Sequence, residues 1–219
     1  MNVIPFPVRA QPEPLAFAIG ARVDLRVGAL ASGVVRPRGE AEEAFQYSNL
    51  ARLVRAARMA WKERGLYAPL TLALPVDLQS QLDAEMLSEA ANEAGCTRQA
   101  LSFELCERVI VDTGVALAEG LRERGWGVVL RGDADCPLPF GARARALYTE
   151  IVLAAPDASD PYLGVEGGDR SPLGRRLLAA RAAEIIVTAE NVRTAAQAKS
   201  LAIAGFDRGG GPFAEAGLR

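Results

Sequence analysis

The chain has 219 residues, half of them apolar and 6% aromatic, enough to bury one sizeable core. Its formal charge of −2 gives no electrostatic basis for nucleic acid or an anionic membrane as a partner. It contains no histidine, which removes imidazole bases, Ser-His and Cys-His nucleophiles and the common zinc sites, so catalysis would have to run on carboxylates, lysine or a hard metal held by oxygen.

Residues 1–14 carry proline at positions 5, 7, 12 and 14 and no continuous apolar segment. They are expected to form a flexible, extended leader, neither a signal peptide nor a membrane span, ahead of one domain over residues 15–219. Leu15–Ile19 and Leu30–Val35 read as two strands separated by Asp24 and Gly28. From Glu40 to Arg64 the residues Leu50, Leu53, Val54, Ala57 and Trp61 recur at helical spacing, with Arg52, Arg55, Arg58 and Lys62 on a solvated face. Leu70–Leu74 is a strand ended by Pro75, with Thr71 and Ala73 on one face. Asp83 is placed to cap a helix running to Ala94, and Gly95 to stop it.

Leu101–Cys106 alternates, so that Leu101, Phe103 and Leu105 share one face and Ser102, Glu104 and Cys106 the other. Glu104 therefore points inward near the C-terminal end of a strand. A helix over Val111–Arg124, a strand over Val128–Leu130, a turn-rich segment over Arg131–Pro139, a short helix over Ala142–Leu147 and a strand over Glu150–Leu153 follow. After the polar loop Ala154–Arg170, Ser171 and Pro172 supply an N-cap and an N1 proline for a helix with Leu173, Leu177 and Ala180 inward. The last full unit starts with the strand Glu184–Thr188, carries Glu190 on a loop, and uses Asn191 to open a helix that Gly205 stops. Taken by itself, Glu190 also fits a plain solvated loop acid. Cys96, Cys106 and Cys136 are odd in number and lack metal-ligand spacing, so they read as reduced thiols in a cytoplasmic setting.

Strands and helices alternate throughout, which predicts the α/β class and a TIM-like (β/α) barrel with its functional loops at the strand C-terminal ends. An antiparallel strand near the N-terminus is compatible with the pattern.

Three segments carry a resemblance. LSFELCER is similar to an L-x-L-E-L-T-E-S strand, TAENVRTAAQ to an AEGVET-x-x-Q helix start, and AIAGFDRGGG to an L-G-C-D-x-x-Q-G ending. In this order they resemble the bacterial EAL domain, the barrel that hydrolyses cyclic di-GMP with a two-metal carboxylate site, and the resemblance spans Leu15 to Phe213. It implies a TIM-like barrel of the EAL type.

The resemblance also implies which residues should hold the chemistry, and most are replaced. Val34, Val35 and Arg36 stand where Glu, Ala and Leu belong, Ala73 at a metal-binding asparagine, Arg131 and Gly132 at paired aspartates, Val152 and Ala154 at the lysine and aspartate of K-I-D, and Gly210 at a glutamine. Glu104 and Glu190 remain, with Glu107 as a framework acid, and Arg38 falls at a phosphate-contacting arginine. Apolar side chains at Val34, Ala73 and Val152 would fill a vacated polar pocket. Arg131 is expected to pair with Glu104 or Glu190, a guanidinium replacing a metal cation. Asp133 and Asp135 would offer replacement ligands under a different loop register.

The implied function is a catalytically inactive EAL-like domain, a regulatory protein-interaction module in cyclic di-GMP-linked signalling that controls motility, adhesion or the cell cycle. The expectation includes no catalytic residue, no metal, no cofactor, no nucleic acid and no membrane insertion. Any ligand would meet Arg38, Glu104, Arg131 and Glu190. The protein partner is not identified, a homodimer is compatible, and cyclic di-GMP binding is expected to be weak or absent. The alternatives are a non-hydrolysing cyclic di-GMP receptor and, third, a residual metal-dependent phosphodiesterase.

Overall fold

A computed structural model describes residues 17–38, 47–113, 115–132, 142–155 and 172–217. The first two strands, β1 (Phe17–Asp24) and β2 (Leu30–Pro37), form an antiparallel hairpin. The Asp24 carboxylate holds its turn by accepting from the amides of Arg26 and Val27 at 2.8 and 3.1 Å. There follow α1 (Tyr47–Glu63), β3 (Leu70–Ala73), α2 (Ala84–Glu93), β4 (Leu101–Cys106), α3 (Glu107–Thr113), α4 (Ala116–Glu123), β5 (Gly127–Arg131) and α5 (Ala142–Leu147). The remainder comprises β6 (Glu150–Ala154), α6 (Pro172–Ala182), β7 (Ile186–Glu190), α7 (Ala195–Ala204), β8 (Arg208–Gly210) and α8 (Pro212–Ala216).

The eight strands close into a barrel in sequence order. From β2 to β8 every neighbouring pair is parallel, whereas β1 runs antiparallel to both β2 and β8. The expected TIM-like barrel is therefore observed, with one reversed strand.

Outward-facing strand residues pack on the helices. Leu72, Leu101, Phe103, Leu105 and Leu130 are almost fully buried against Leu50, Leu53, Leu87 and Leu121. Burying each such side chain contributes about 1.5–3 kcal/mol. Trp126, just before β5, lies edge-on to Phe103 at 5.7 Å, donates its indole N–H to Ser88 Oγ at 2.9 Å, and carries the Arg98 guanidinium 3.9 Å over its ring.

Several boundaries differ from the sequence expectation. β1 continues five residues past Ile19, because Ala21 and Val23 keep packing outward while Arg22 turns into the barrel and interrupts the apolar pattern. β7 begins at Ile186, not Glu184, since Glu184 adopts φ +54° in the turn after α6, and Glu190 consequently ends the strand instead of lying on a loop. Asn191, at φ +65°, does not cap α7; Thr194 does, accepting the Gln197 amide at 3.1 Å. The helix expected over Val111–Arg124 divides into α3 and α4 and starts at Glu107. By contrast, the Asp83 cap, the strand Leu101–Cys106, the helix Ala142–Leu147 and the Gly205 stop, at φ +106°, fall where expected. The leader, the first residues of the Glu40–Arg64 helix, Asp133, Asp135, Cys136 and the Ser171 cap lie outside the described residues. No helix among the described residues is long and apolar enough to cross a membrane.

Candidate functional site

Strand register decides which side chains face the barrel axis. Arg22 is opposite both Ser32 and Gly210, Ala73 is beside Glu104, Glu104 beside Val129, Val129 beside Glu150, Val152 beside Thr188, and Ala154 beside Glu190. Because side chains alternate along a strand, one interior surface collects Arg22, Ala73, Glu104, Glu150, Val152, Thr188 and Glu190.

Arg22 is the hub. It is 0% exposed, and its guanidinium meets three carboxylates on three different strands. Nη2 donates to Glu104 Oε2 at 2.5 Å and to Glu190 Oε1 at 2.8 Å, Nε donates to the same Glu190 oxygen at 3.1 Å, and Nη1 reaches Glu150 Oε1 at 3.4 Å. A planar fork of five N–H donors can serve several acceptors at once, which an ammonium on a flexible stem does less well. Each carboxylate has further support. Glu150 accepts from Thr188 Oγ1 at 2.6 Å and Arg208 Nη1 at 2.7 Å, and Glu190 Oε2 accepts from Arg36 Nη2 at 3.0 Å. Glu104 Oε1 makes no hydrogen bond among the described residues and has only Arg131 Nη1 at 3.9 Å. Gly210 makes room, since a Cβ there would lie 3.3 Å from Arg22 Cγ and 3.4 Å from Glu190 Oε1.

Burial opposes charge on Arg22, but attraction from Glu104, Glu150 and Glu190 outweighs it and holds the guanidinium above the ordinary arginine range. Burial likewise opposes charge on Glu190, yet Arg22 and Arg36 together keep its carboxyl below the usual glutamate value. Both shifts favour the charged forms of Arg22 and Glu190, and the ion pairs between them are compensated within the barrel.

A cleft of about 710 Å³ opens above the cluster at the strand C-terminal ends, lined in part by Val34, Arg36, Arg108, Arg131, Val152 and Glu190. Glu107 sits at its edge, ion-paired with the buried Arg176 of α6.

Of the expected ligand-facing residues, the structure brings Glu104 and Glu190 onto one guanidinium and places Arg131 nearby. Arg38 lies exposed just beyond β2 and is not among the residues lining this cleft, and the arginine that reaches Glu190 is Arg36. The expected Arg131 pairing holds only as a long contact to Glu104, and the guanidinium that occupies the acids is Arg22. Sequence reading missed Arg22, Glu150 and Arg208. The usable signal was parity: Ala21 and Val23 flank Arg22 at outward positions, and Glu150 shares the face of Val152.

No protein-family model and no curated protein sequence matches the chain. Solved structures do. The PaMucR phosphodiesterase in its c-di-GMP complex superposes with a TM-score of 0.68 at 15% identity, over 90% of this chain and 93% of that one. The EAL domain of Mycobacterium smegmatis DcpA gives 0.63 at 21%, over 92% and 90%. A standalone versatile EAL protein from Vibrio cholerae, in a c-di-GMP-bound form, gives 0.59 at 17%, over 92% and 91%. The fold is that of EAL domains.

For an EAL-type barrel, the resemblance implies metal ions held by oxygen donors at these strand ends. The donor set here does not fit them. Val34, Ala73 and Val152 face the interior without a donor atom, and Arg131 brings positive charge. Glu104, Glu150 and Glu190 direct their oxygens at Arg22. Among the described residues, no group of three acidic or cysteine side chains is arranged to hold a metal ion.

Proposed function

We propose that this EAL-type barrel is catalytically inactive and acts as a regulatory protein-interaction module in signalling linked to cyclic di-GMP. The observation that carries this reading is the Arg22 guanidinium, bound at once by Glu104, Glu150 and Glu190. Metal-assisted hydrolysis needs carboxylates free to bind a cation and a water whose pKa the metal lowers. Here the same carboxylates neutralise a side chain that cannot leave, and Val152 stands where the family's lysine would be. A barrel that keeps its fold without that chemistry retains a surface through which to bind a partner. The test is incubation with cyclic di-GMP and magnesium or manganese, followed by chromatography. No linear dinucleotide above background is expected. Metal-dependent product that disappears in Glu104→Gln would refute inactivity.

One observation favours a second reading, a non-hydrolysing receptor: the 710 Å³ cleft has Arg36, Arg108 and Arg131 in its lining. Arg36 is committed to Glu190, and Arg131 is 43% exposed. Exposed charge pairs are worth at most about 1 kcal/mol each, against the ~8 kcal/mol that micromolar affinity requires. Calorimetric titration with cyclic di-GMP is expected to give no micromolar binding. Micromolar affinity that Arg131→Ala abolishes would replace the interaction module with the receptor.

A further inference from the structure

Outside the barrel, the neighbouring helices α1 and α2 present rows of opposite charge. We propose that these two rows form one self-complementary surface on which a second copy of this chain docks, α1 of each protomer lying against α2 of the other.

Three observations support this. First, each row is continuous and faces outward. On α2, Glu85, Glu89 and Glu93 recur every fourth residue as one exposed ridge, opposite the buried Leu87, Ala90 and Ala91. On α1, Arg52, Arg55 and Lys62 share the outward face with Met59, which is 57% exposed. Among the described residues no ion pair joins the two rows within the chain, and Glu85 has only Arg124 of α4 at 4.0 Å. Like charges one turn apart repel along a helix, and an opposing cationic row offsets that cost.

Second, the two helices are locked at a fixed relative height. Arg55 Nη2 donates to the Glu93 carbonyl at 2.9 Å, and Arg58 Nη1 donates to the carbonyls of Ala94 and Gly95 at 2.7 Å each. Both helices connect parallel strands, so they run in the same direction. Arg52 and Arg55 therefore stand at the height of Glu89 and Glu93.

Third, symmetry selects the partner. A two-fold axis in the interface, running along the helices, sets the α1 row of each copy opposite the α2 row of the other at the same height, and does so twice. An axis across the helices would set each row against itself. The interface is ionic and exposed, so association is weak and screened by salt. Met59 adds a flexible apolar contact to it. The proposal goes beyond the interaction-module reading and does not rest on it, since α1 and α2 lie outside the barrel interior and self-association requires no statement about hydrolysis.

The experiment is sedimentation velocity of the full chain over a wide range of protein concentration, at about 0.05 and 0.5 M NaCl. A reversible monomer–dimer equilibrium is expected at low salt, with a dissociation constant that rises about tenfold or more at high salt. Two variants reverse one row each: Arg52→Glu with Arg55→Glu, and Glu89→Lys with Glu93→Lys. Each alone is expected to be monomeric. An equimolar mixture should restore the dimer, because reversed row then meets reversed row and natural row meets natural row. Thermal unfolding checks that each variant is folded, and Arg52→Glu alone, which keeps the Arg55 contact with α2, takes the place of the first variant if that one is not. A wild type that stays monomeric at low salt, a dimer insensitive to salt or to row reversal, or a mixture of folded variants that stays monomeric overturns the proposal. None of these results reads out hydrolysis, so inactivity is judged separately by the chromatographic assay.

Discussion

Removing the Arg22 side chain leaves the buried Glu104 with only the long contact to Arg131, while Glu150 keeps Arg208 and Glu190 keeps Arg36. Breaking a buried ion pair on one side typically costs about 3–5 kcal/mol, because the remaining charge keeps its desolvation penalty. Arg22→Met is therefore expected to lose that much stability in urea unfolding at neutral pH. Arg36→Ala removes a partner that is 38% exposed, and its expected loss is about 0–1 kcal/mol. Equal losses for the two would mean that the cluster has no hub. Neither loss is expected to add simply to that of a Glu190 variant, since all three residues share one network.

At the scale of elements, the close approach of α1 to the barrel depends on Gly33. A Cβ at that position would fall 2.7 Å from Leu70 Cδ2 and 2.9 Å from Trp61 Cζ2, so a methyl group cannot enter unless the Leu70 and Trp61 side chains shift. Overpacking of this kind costs typically 1–3 kcal/mol, and Gly33→Ala should show it as a lowered urea midpoint with an unchanged denaturant slope. A midpoint equal to that of wild type would show that α1 accommodates the methyl freely. The same scale explains the displaced boundaries. β4 was legible because Leu101, Phe103 and Leu105 alternate cleanly with Ser102, Glu104 and Cys106. β7 was not, because Ile185 is also buried, at 4% exposed, and an apolar run does not mark where strand pairing starts. The start of α7 was legible in principle: Thr194 and Gln197 have the T-x-x-Q spacing of a capping box, and Gln197 accepts from the Arg193 amide at 2.8 Å while donating its own amide to Thr194.

For the whole molecule, the cluster ties β1, β2, β4, β6, β7 and β8 together through charged groups, so acid should loosen the barrel as a unit. The Glu190 carboxyl is held below its ordinary value by Arg22 and Arg36 despite burial. Between its folded and unfolded pKa the unfolded chain binds the extra proton, so stability rises with pH there. Its contribution is fully present above the ordinary glutamate value and is lost as pH falls through the lower, folded one. Urea unfolding across that acidic window should show a shallower pH dependence in Glu190→Gln than in wild type, and an unchanged slope would sink this assignment.

Several features were determined by the sequence alone. The alternation of strands and helices, the inward face of Glu104, the helix stop at Gly205 and the apolar replacements at Val34, Ala73 and Val152 all follow from local periodicity and from residue chemistry at matched motif positions. Arg22 was decided only by tertiary structure. In one dimension parity with Ala21 and Val23 gives it a face but not its partners, which lie 82, 128 and 168 positions away. Barrel closure brings those partners within hydrogen-bonding distance, because the antiparallel pairing of β1 with β8 completes the ring and turns position 22 toward the axis. Periodicity can assign a side chain to a face. Which charges meet across the enclosed interior depends on register and closure, which no local stretch of sequence contains.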